Sequence, residues 1–208
     1  MSQKKFSGAK VALLGAPGVG KTAFAVRYIT KRYIGDYDSN KEMLYTYKPR
    51  EELTLEIMDT ASLVSSEETE KHYRWGDGFV LMYSITDRQS FLDASAMKDS
   101  LLRVKGQDVP IIVVANKADL ASVRLVSEEE GSSLAEQLDC PKYEISVADG
   151  YQAVSECMQE LLIQLKKDFV KSNTSAAMAS MDKSKSSKLF NFKKGFKKRI
   201  SRSHSDTV

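Results

Sequence analysis

Apolar positions cluster in six short runs between Lys10 and Ser146, and the segments between several of these runs carry apolar residues at helical spacing. The first run, "KVALLG" from Lys10 to Gly15, feeds a glycine-rich turn, and "KTAFAVRYITKRY" follows with a helical period, so the pattern predicts strand, loop and helix. "MLYTYKP" and "LTLEIMD" read as two strands close enough to form a hairpin, whereas "GFVLMYSI" and "VPIIVVANK" are continuous apolar runs of the kind buried on both faces. "KYEIS", Lys142 to Ser146, reads as a last strand. Helical patterns occupy "SFLDASAMKDSLLRVK", "SEEEGSSLAEQL" and "YQAVSECMQELLIQLKKDF", and Ser127 with Glu130 three residues on reads as a capping box. Strands alternating with helices predict an α/β fold with a mostly parallel sheet covered on both faces.

This pattern stops near Val170. Residues 171–187 are rich in Ser, Ala, Asn and Lys without apolar periodicity and read as a flexible linker, and 188–208 read as a basic amphipathic tail. Charge sharpens the division: from Lys166 onward 12 Lys and Arg face 3 Asp, so +9 of the overall +3 lies there and the body carries −6. In "KLFNFKKGFKKRI", Leu189, Phe192, Phe196 and Ile200 share one helical face with lysines opposite, the composition of a membrane-surface or calmodulin-binding segment; a solvated or nuclear-addressing tail is the alternative.

Two cysteines, Cys140 and Cys157, are too few for a disulfide framework and lack metal-ligand spacing, which points to buried thiols in a reducing compartment. No run approaches the roughly 18 apolar residues of a membrane span, and the amino-terminal stretch lacks a secretory signal. A cytoplasmic protein is expected, peripheral at the inner face of the plasma membrane if the tail binds lipid, with the nucleus as an alternative.

"GAPGVGKT", Gly15 to Thr22, has the spacing G-x-x-x-x-G-K-[ST] and lies between a predicted strand and helix, the context its chemistry requires. In such a loop, here Gly15, Ala16, Pro17, Gly18, Val19 and Gly20, glycines let backbone N–H groups close around phosphates, with the amides from Gly18 onward available, while Lys21 reaches the β and γ phosphates and the Thr22 hydroxyl ligates Mg²⁺. Pro17 fixes one φ and removes one N–H within the loop. Asp59, closing "LTLEIMD", is the acidic partner expected for the metal. "NKAD", Asn116 to Asp119, follows a buried strand and faces the ligand crevice. A carboxylate there accepts two hydrogen bonds from the N1–H and amine of guanine, a pair of donors adenine does not offer. Asn116, Lys117 and Asp119 therefore read as the base-recognition set.

With these motifs in place the chain resembles a Ras-superfamily small GTPase over residues 8–170, a P-loop fold with a six-stranded sheet and five helices. "FVLMYSITDRQSF", "ITKRYIGDYDSN" and "HYRWGDGF" look most similar to the branch of the Ras-related and estrogen-regulated growth inhibitor. The resemblance implies GTP or GDP with Mg²⁺ as ligands, Tyr33 against the guanine ring, Tyr37 over the phosphates, and Ser146 and Val147 beside the base. It also implies effector binding through Tyr37 to Tyr45, with no specific nucleic-acid partner and a monomeric chain. Val147 and Ala148 depart from the alanine and lysine usual there. No cysteine follows Cys157, so the carboxy-terminal prenylation of many relatives is not expected.

Against the same family, Asn40 replaces the threonine of the first switch, Ser62 replaces a glycine whose N–H meets the γ phosphate, and Leu63 replaces the glutamine that orients the attacking water. Leucine has neither donor nor acceptor, so very slow GTP hydrolysis is expected. The alternative is a module that holds GTP or GDP without cycling. His72 reads as exposed or hydrogen-bonded, and Trp75 as core or switch packing.

Overall fold

The computed structural model describes residues 5–35, 41–60 and 66–200, with side chains throughout except at 66 and 176–200. It separates into two units, Lys5–Lys166 and a second that begins at Lys167. The first holds six strands, β1 (Gly8–Leu14), β2 (Met43–Arg50), β3 (Leu53–Asp59), β4 (Gly78–Ser84), β5 (Ile111–Asn116) and β6 (Lys142–Glu144), in the sheet order β2-β3-β1-β4-β5-β6. The β2–β3 hairpin is antiparallel, with Met43 opposite Asp59, and every other pairing is parallel. The helices are α1 (Lys21–Thr30), α2 (Ser66–Trp75), α3 (Arg88–Lys105), α4 (Glu128–Gln137) and α5 (Tyr151–Ile200), which begins in the first unit. This is the α/β fold that the alternation of strands and helices predicts.

Because side chains alternate across a strand, each central strand supplies both faces of the sheet with apolar residues. Val11, Leu13, Val80, Met82, Ile112 and Val114 pack with Phe24 and Tyr28 of α1 and with Val154, Cys157 and Leu161 of α5. Ala12, Leu14, Phe79, Leu81, Val113 and Ala115 face the other way, toward Tyr73 of α2, Ala94 and Leu101 of α3, and Leu134 of α4. Two cores, one on each face, cover the sheet. Burial pushes both the Cys140 and the Cys157 thiols up to about 12, so each is a protonated core side chain.

The helix ends follow local chemistry. The Asp87 carboxylate accepts from the amides of Gln89 and Ser90 and starts α3 two residues before its apolar period becomes visible. Ser127 and Glu130 form the reciprocal capping box of α4. α2 escapes a reading by apolar periodicity because its sequence, "SEETEKHYRW", buries little beyond His72 and Tyr73. His72 is hydrogen-bonded, its Nε2 standing 2.6 Å from the Glu42 carboxylate, and Trp75 packs on the second core under the Lys10 ammonium.

The backbone of α5 is helical through 171–187, the stretch whose polar composition reads as a linker. Neither Gly nor Pro interrupts residues 171–194, so nothing in that stretch stops a helix once begun. The backbone stays helical to Ile200; the side chains of Leu189, Phe192, Phe196 and Ile200, and residues 201–208, lie outside those described. Among the described residues no helix is long and apolar enough to cross a membrane.

Candidate functional site

At the carboxyl edge of the sheet, β1 ends and the chain turns through Gly15, Gly18 and Gly20 at φ of 142°, 71° and 102°, a region that side chains with a Cβ rarely enter. Two of these glycines also have no room to spare. A Cβ on Gly15 would stand 2.2 Å from the Met82 carbonyl oxygen, and one on Gly20 would stand 2.4 Å from Asn116 Nδ2. Loop backbone, β4 and the end of β5 therefore meet in direct contact. Val19 is buried under the loop, while Pro17 and Gly18 are exposed on its crest.

Lys21 opens α1 and is only 5% exposed; its Nζ donates to the carbonyl oxygens of Gly15, at 2.8 Å, and Ala16, at 3.0 Å. These bonds aim the ammonium along the inside of the loop. Burial pushes its pKa down to about 8, against the opposing pull of the Asp59 carboxylate. Asp59, 2% exposed at the end of β3, accepts from Thr22 Oγ1 at 2.6 Å. Its own desolvation pushes the carboxyl up, while the Thr22 hydroxyl and Lys21 hold it down. A hydroxyl and a carboxylate touching at the edge of the loop are two hard oxygen donors, and a buried carboxylate gains from a nearby cation. The pair fits Mg²⁺, which ordinarily takes few protein ligands and completes its shell with phosphate and water.

Asn116 ends β5 almost wholly buried and makes two bonds at once. Nδ2 donates to the Val19 carbonyl at 2.8 Å, and Oδ1 accepts from the Val147 amide at 3.0 Å. The side chain thus fastens the phosphate loop to the segment after β6. Lys117 follows at φ 70°, the left-handed turn that starts a 3-10 helix over Ala118–Val123 and brings Asp119 to the surface of the cleft. Lys21, Thr22, Tyr33, Asp59, Asn116, Lys117, Asp119 and Val147 all line one cleft of about 450 Å³, a volume suited to a nucleotide-sized ligand.

Other predicted residues are placed differently. Gly15, Ala16 and Val19 are buried and support the loop from behind. Ser146 is buried and its Oγ accepts from the Asp149 amide at 3.1 Å, so its hydroxyl shapes the turn in which Val147 and Ala148 face the cleft. Tyr37, Asn40, Ser62 and Leu63 lie outside the described residues. Two further contributors stand outside the predicted site residues. Thr60 Oγ1 donates to the Leu13 carbonyl at 2.7 Å and fixes the end of β3 to β1. Arg27 of α1 donates from Nη2 to the Ala148 carbonyl at 3.0 Å, visible only once α1 and the segment after β6 are seen side by side.

A glycine-lined loop opening a helix at the carboxyl edge of a parallel sheet, with its lysine, threonine and strand-end aspartate in one cleft, defines a P-loop nucleotide-binding protein. A sequence profile described as the Ras family matches residues 10–167. The chain is 43% identical over 162 residues to a Bos taurus protein named Ras-related and estrogen-regulated growth inhibitor, covering 76% of this chain and 81% of that one. Its Homo sapiens counterpart is 42% identical over the same shares, and a Danio rerio Ras-like protein family member 11B is 37% identical over 169 residues, 76% of this chain and 69% of that protein. The chain belongs to the Ras family, the small GTPases that bind guanine nucleotide.

Proposed function

We propose that this chain holds GDP or GTP with Mg²⁺ in the cleft, acts as a Ras-like signalling switch, and hydrolyses GTP very slowly by itself. The observation that carries the reading is the convergence of Lys21, Thr22 and Asp59 with Asp119 on one cleft, phosphate chemistry at one end and a guanine-matching carboxylate at the other. The loop amides and Lys21 would bind the phosphates, Thr22 and Asp59 would hold Mg²⁺, and Tyr33 and Val147 would border the base; the metal would supply neutralisation of phosphate charge. Asp119 selects guanine because an unmatched carboxylate facing adenine would lose its partners.

Slow chemistry follows from side chains. Leu63 cannot orient a water, and Ser62 restricts a backbone whose N–H is needed at the γ phosphate. Pro17 stands exposed in the loop, and its ring would crowd an arginine offered there by a partner. These same substitutions favour the second reading, a non-cycling holder of nucleotide. Identification of the nucleotide released on denaturing the purified protein, followed by single-turnover hydrolysis, separates the two. Measurable conversion of bound GTP supports the switch, and none over many hours supports the holder. Absence of guanine nucleotide together with absence of Mg²⁺-dependent binding contradicts both.

Effectors would dock on Tyr37 to Tyr45, where the edge strand β2 exposes Met43 and Leu44. The proposed chain is monomeric and cytoplasmic. Residues 188–202 would meet anionic membrane, placing the protein peripherally at the inner face of the plasma membrane; a calmodulin-type partner or nuclear address is the alternative for the same basic segment.

A further inference from the structure

Tyr33 and Ala148 border the cleft from two segments far apart in sequence, and one side chain reaches both. Arg27 Nη2 donates to the Ala148 carbonyl at 3.0 Å, and its guanidinium carbon lies 5.8 Å from the centre of the Tyr33 ring, within cation–π range. Arg27 stands on α1, the helix that begins at the phosphate loop and whose Phe24 and Tyr28 are seated in the core. One turn further along, Lys31 Nζ lies 5.4 Å from the centre of the Tyr151 ring, a second cationic brace from α1 to the same region of chain. Tyr33 itself is 46% exposed, follows the end of α1, and gains little orientation from packing. Arg27 Nε is buried with no acceptor among the described residues. A buried donor left unpaired is costly, and a guanidinium held in such a place marks a position set by something other than its own solvation.

We infer that Arg27 is a positioning residue that clamps the aromatic wall Tyr33 and the Ala148 turn together over the base, and so sets how long the nucleotide stays bound. The inference rests on the reading that this cleft holds guanine nucleotide. Its described contacts, to the Ala148 carbonyl and the Tyr33 ring, involve none of Lys21, Thr22, Asp59 and Asp119. Its loss leaves the association rate close to that of the parent, because the open cleft still admits ligand, and raises dissociation, because both walls part more readily.

The test loads the full chain with a fluorescent N-methylanthraniloyl GDP in Mg²⁺ and follows release during a chase with excess GDP. Arg27→Ala is expected to release nucleotide at least tenfold faster. Arg27→Lys keeps a cation near the ring and should fall between. Tyr33→Ala should accelerate release too, and the double variant Arg27→Ala, Tyr33→Ala should be no more than about twofold faster than the faster single variant, since the two act through one contact. Should Arg27→Ala fail to fold, Arg27→Gln and Arg27→Lys carry the same comparison. Release within twofold of the parent in the Arg27 variants overturns the inference alone. Effects that multiply in the double variant, as for independent sites, also overturn it. A parent chain that retains no labelled GDP overturns the functional reading and this inference with it.

Discussion

Replacing Asn116 with alanine removes the strut that joins the phosphate loop to the segment after β6. Both of its bonds are buried, to the Val19 carbonyl at 2.8 Å and from the Val147 amide at 3.0 Å, and alanine leaves each partner without a replacement. Stranding a buried donor or acceptor costs about 1–3 kcal/mol each, so the pair is worth roughly 2–4 kcal/mol once partial access of water is allowed. Val19 lies buried in the phosphate loop and Val147 borders the cleft, and the whole of that loss is assigned to the nucleotide-bound form. At about 1.4 kcal/mol per factor of ten, GDP should dissociate about 30- to 700-fold faster. Stopped-flow release of labelled GDP from the Asn116→Ala protein gives the number directly. Asn116→Asp keeps an acceptor for the Val147 amide but presents a carboxylate to the Val19 carbonyl, and should be at least as fast. Dissociation within threefold of the parent would refute the argument that these two bonds hold the cleft closed.

Lys21→Ala should abolish measurable GDP and GTP binding in filter or fluorescence titrations, because the buried ammonium aimed into the loop is the principal positive charge for the phosphates. Ser62→Gly with Leu63→Gln should raise single-turnover GTP hydrolysis by at least tenfold, scored as γ phosphate released from preloaded protein; parity with the parent would mean that these positions do not limit the chemistry. The tail should sediment with vesicles containing phosphatidylserine and not with neutral ones, weakening as salt rises, since each basic residue near such a surface contributes about 1 kcal/mol. Phe192→Ala with Phe196→Ala should reduce the binding that persists at moderate salt, and equal binding to both vesicle types would contradict a membrane role.

Strands and loop chemistry were legible in the sequence where one residue type answers one local demand. Continuous apolar runs announced β4 and β5, buried on both faces, and glycines announced a loop that tolerates no Cβ at Gly15 and Gly20. Ser127 and Glu130 announced a cap made within four residues. What escaped depends on partners distant in sequence. α2 has no apolar stripe, so its helix shows only once Tyr73 is seen packing against Phe79. Arg27, inside an amphipathic helix, looks like any solvated charge until Ala148, 121 residues away, is placed beside it. Beyond Val170 the backbone continues as helix through a stretch, 171–187, whose polar composition carries no apolar period to announce one.

Competition binding decides whether this cleft selects guanine nucleotides. The full chain, in Mg²⁺ with a labelled GDP at its half-saturating concentration, is titrated with unlabelled GTP, GDP, ATP and ADP. GTP and GDP should displace the label stoichiometrically, and ATP and ADP should leave it in place at a hundredfold excess, because Asp119 offers its carboxylate to a pair of donors only guanine carries. Displacement by ATP as readily as by GTP, or no bound label to displace, would contradict the account.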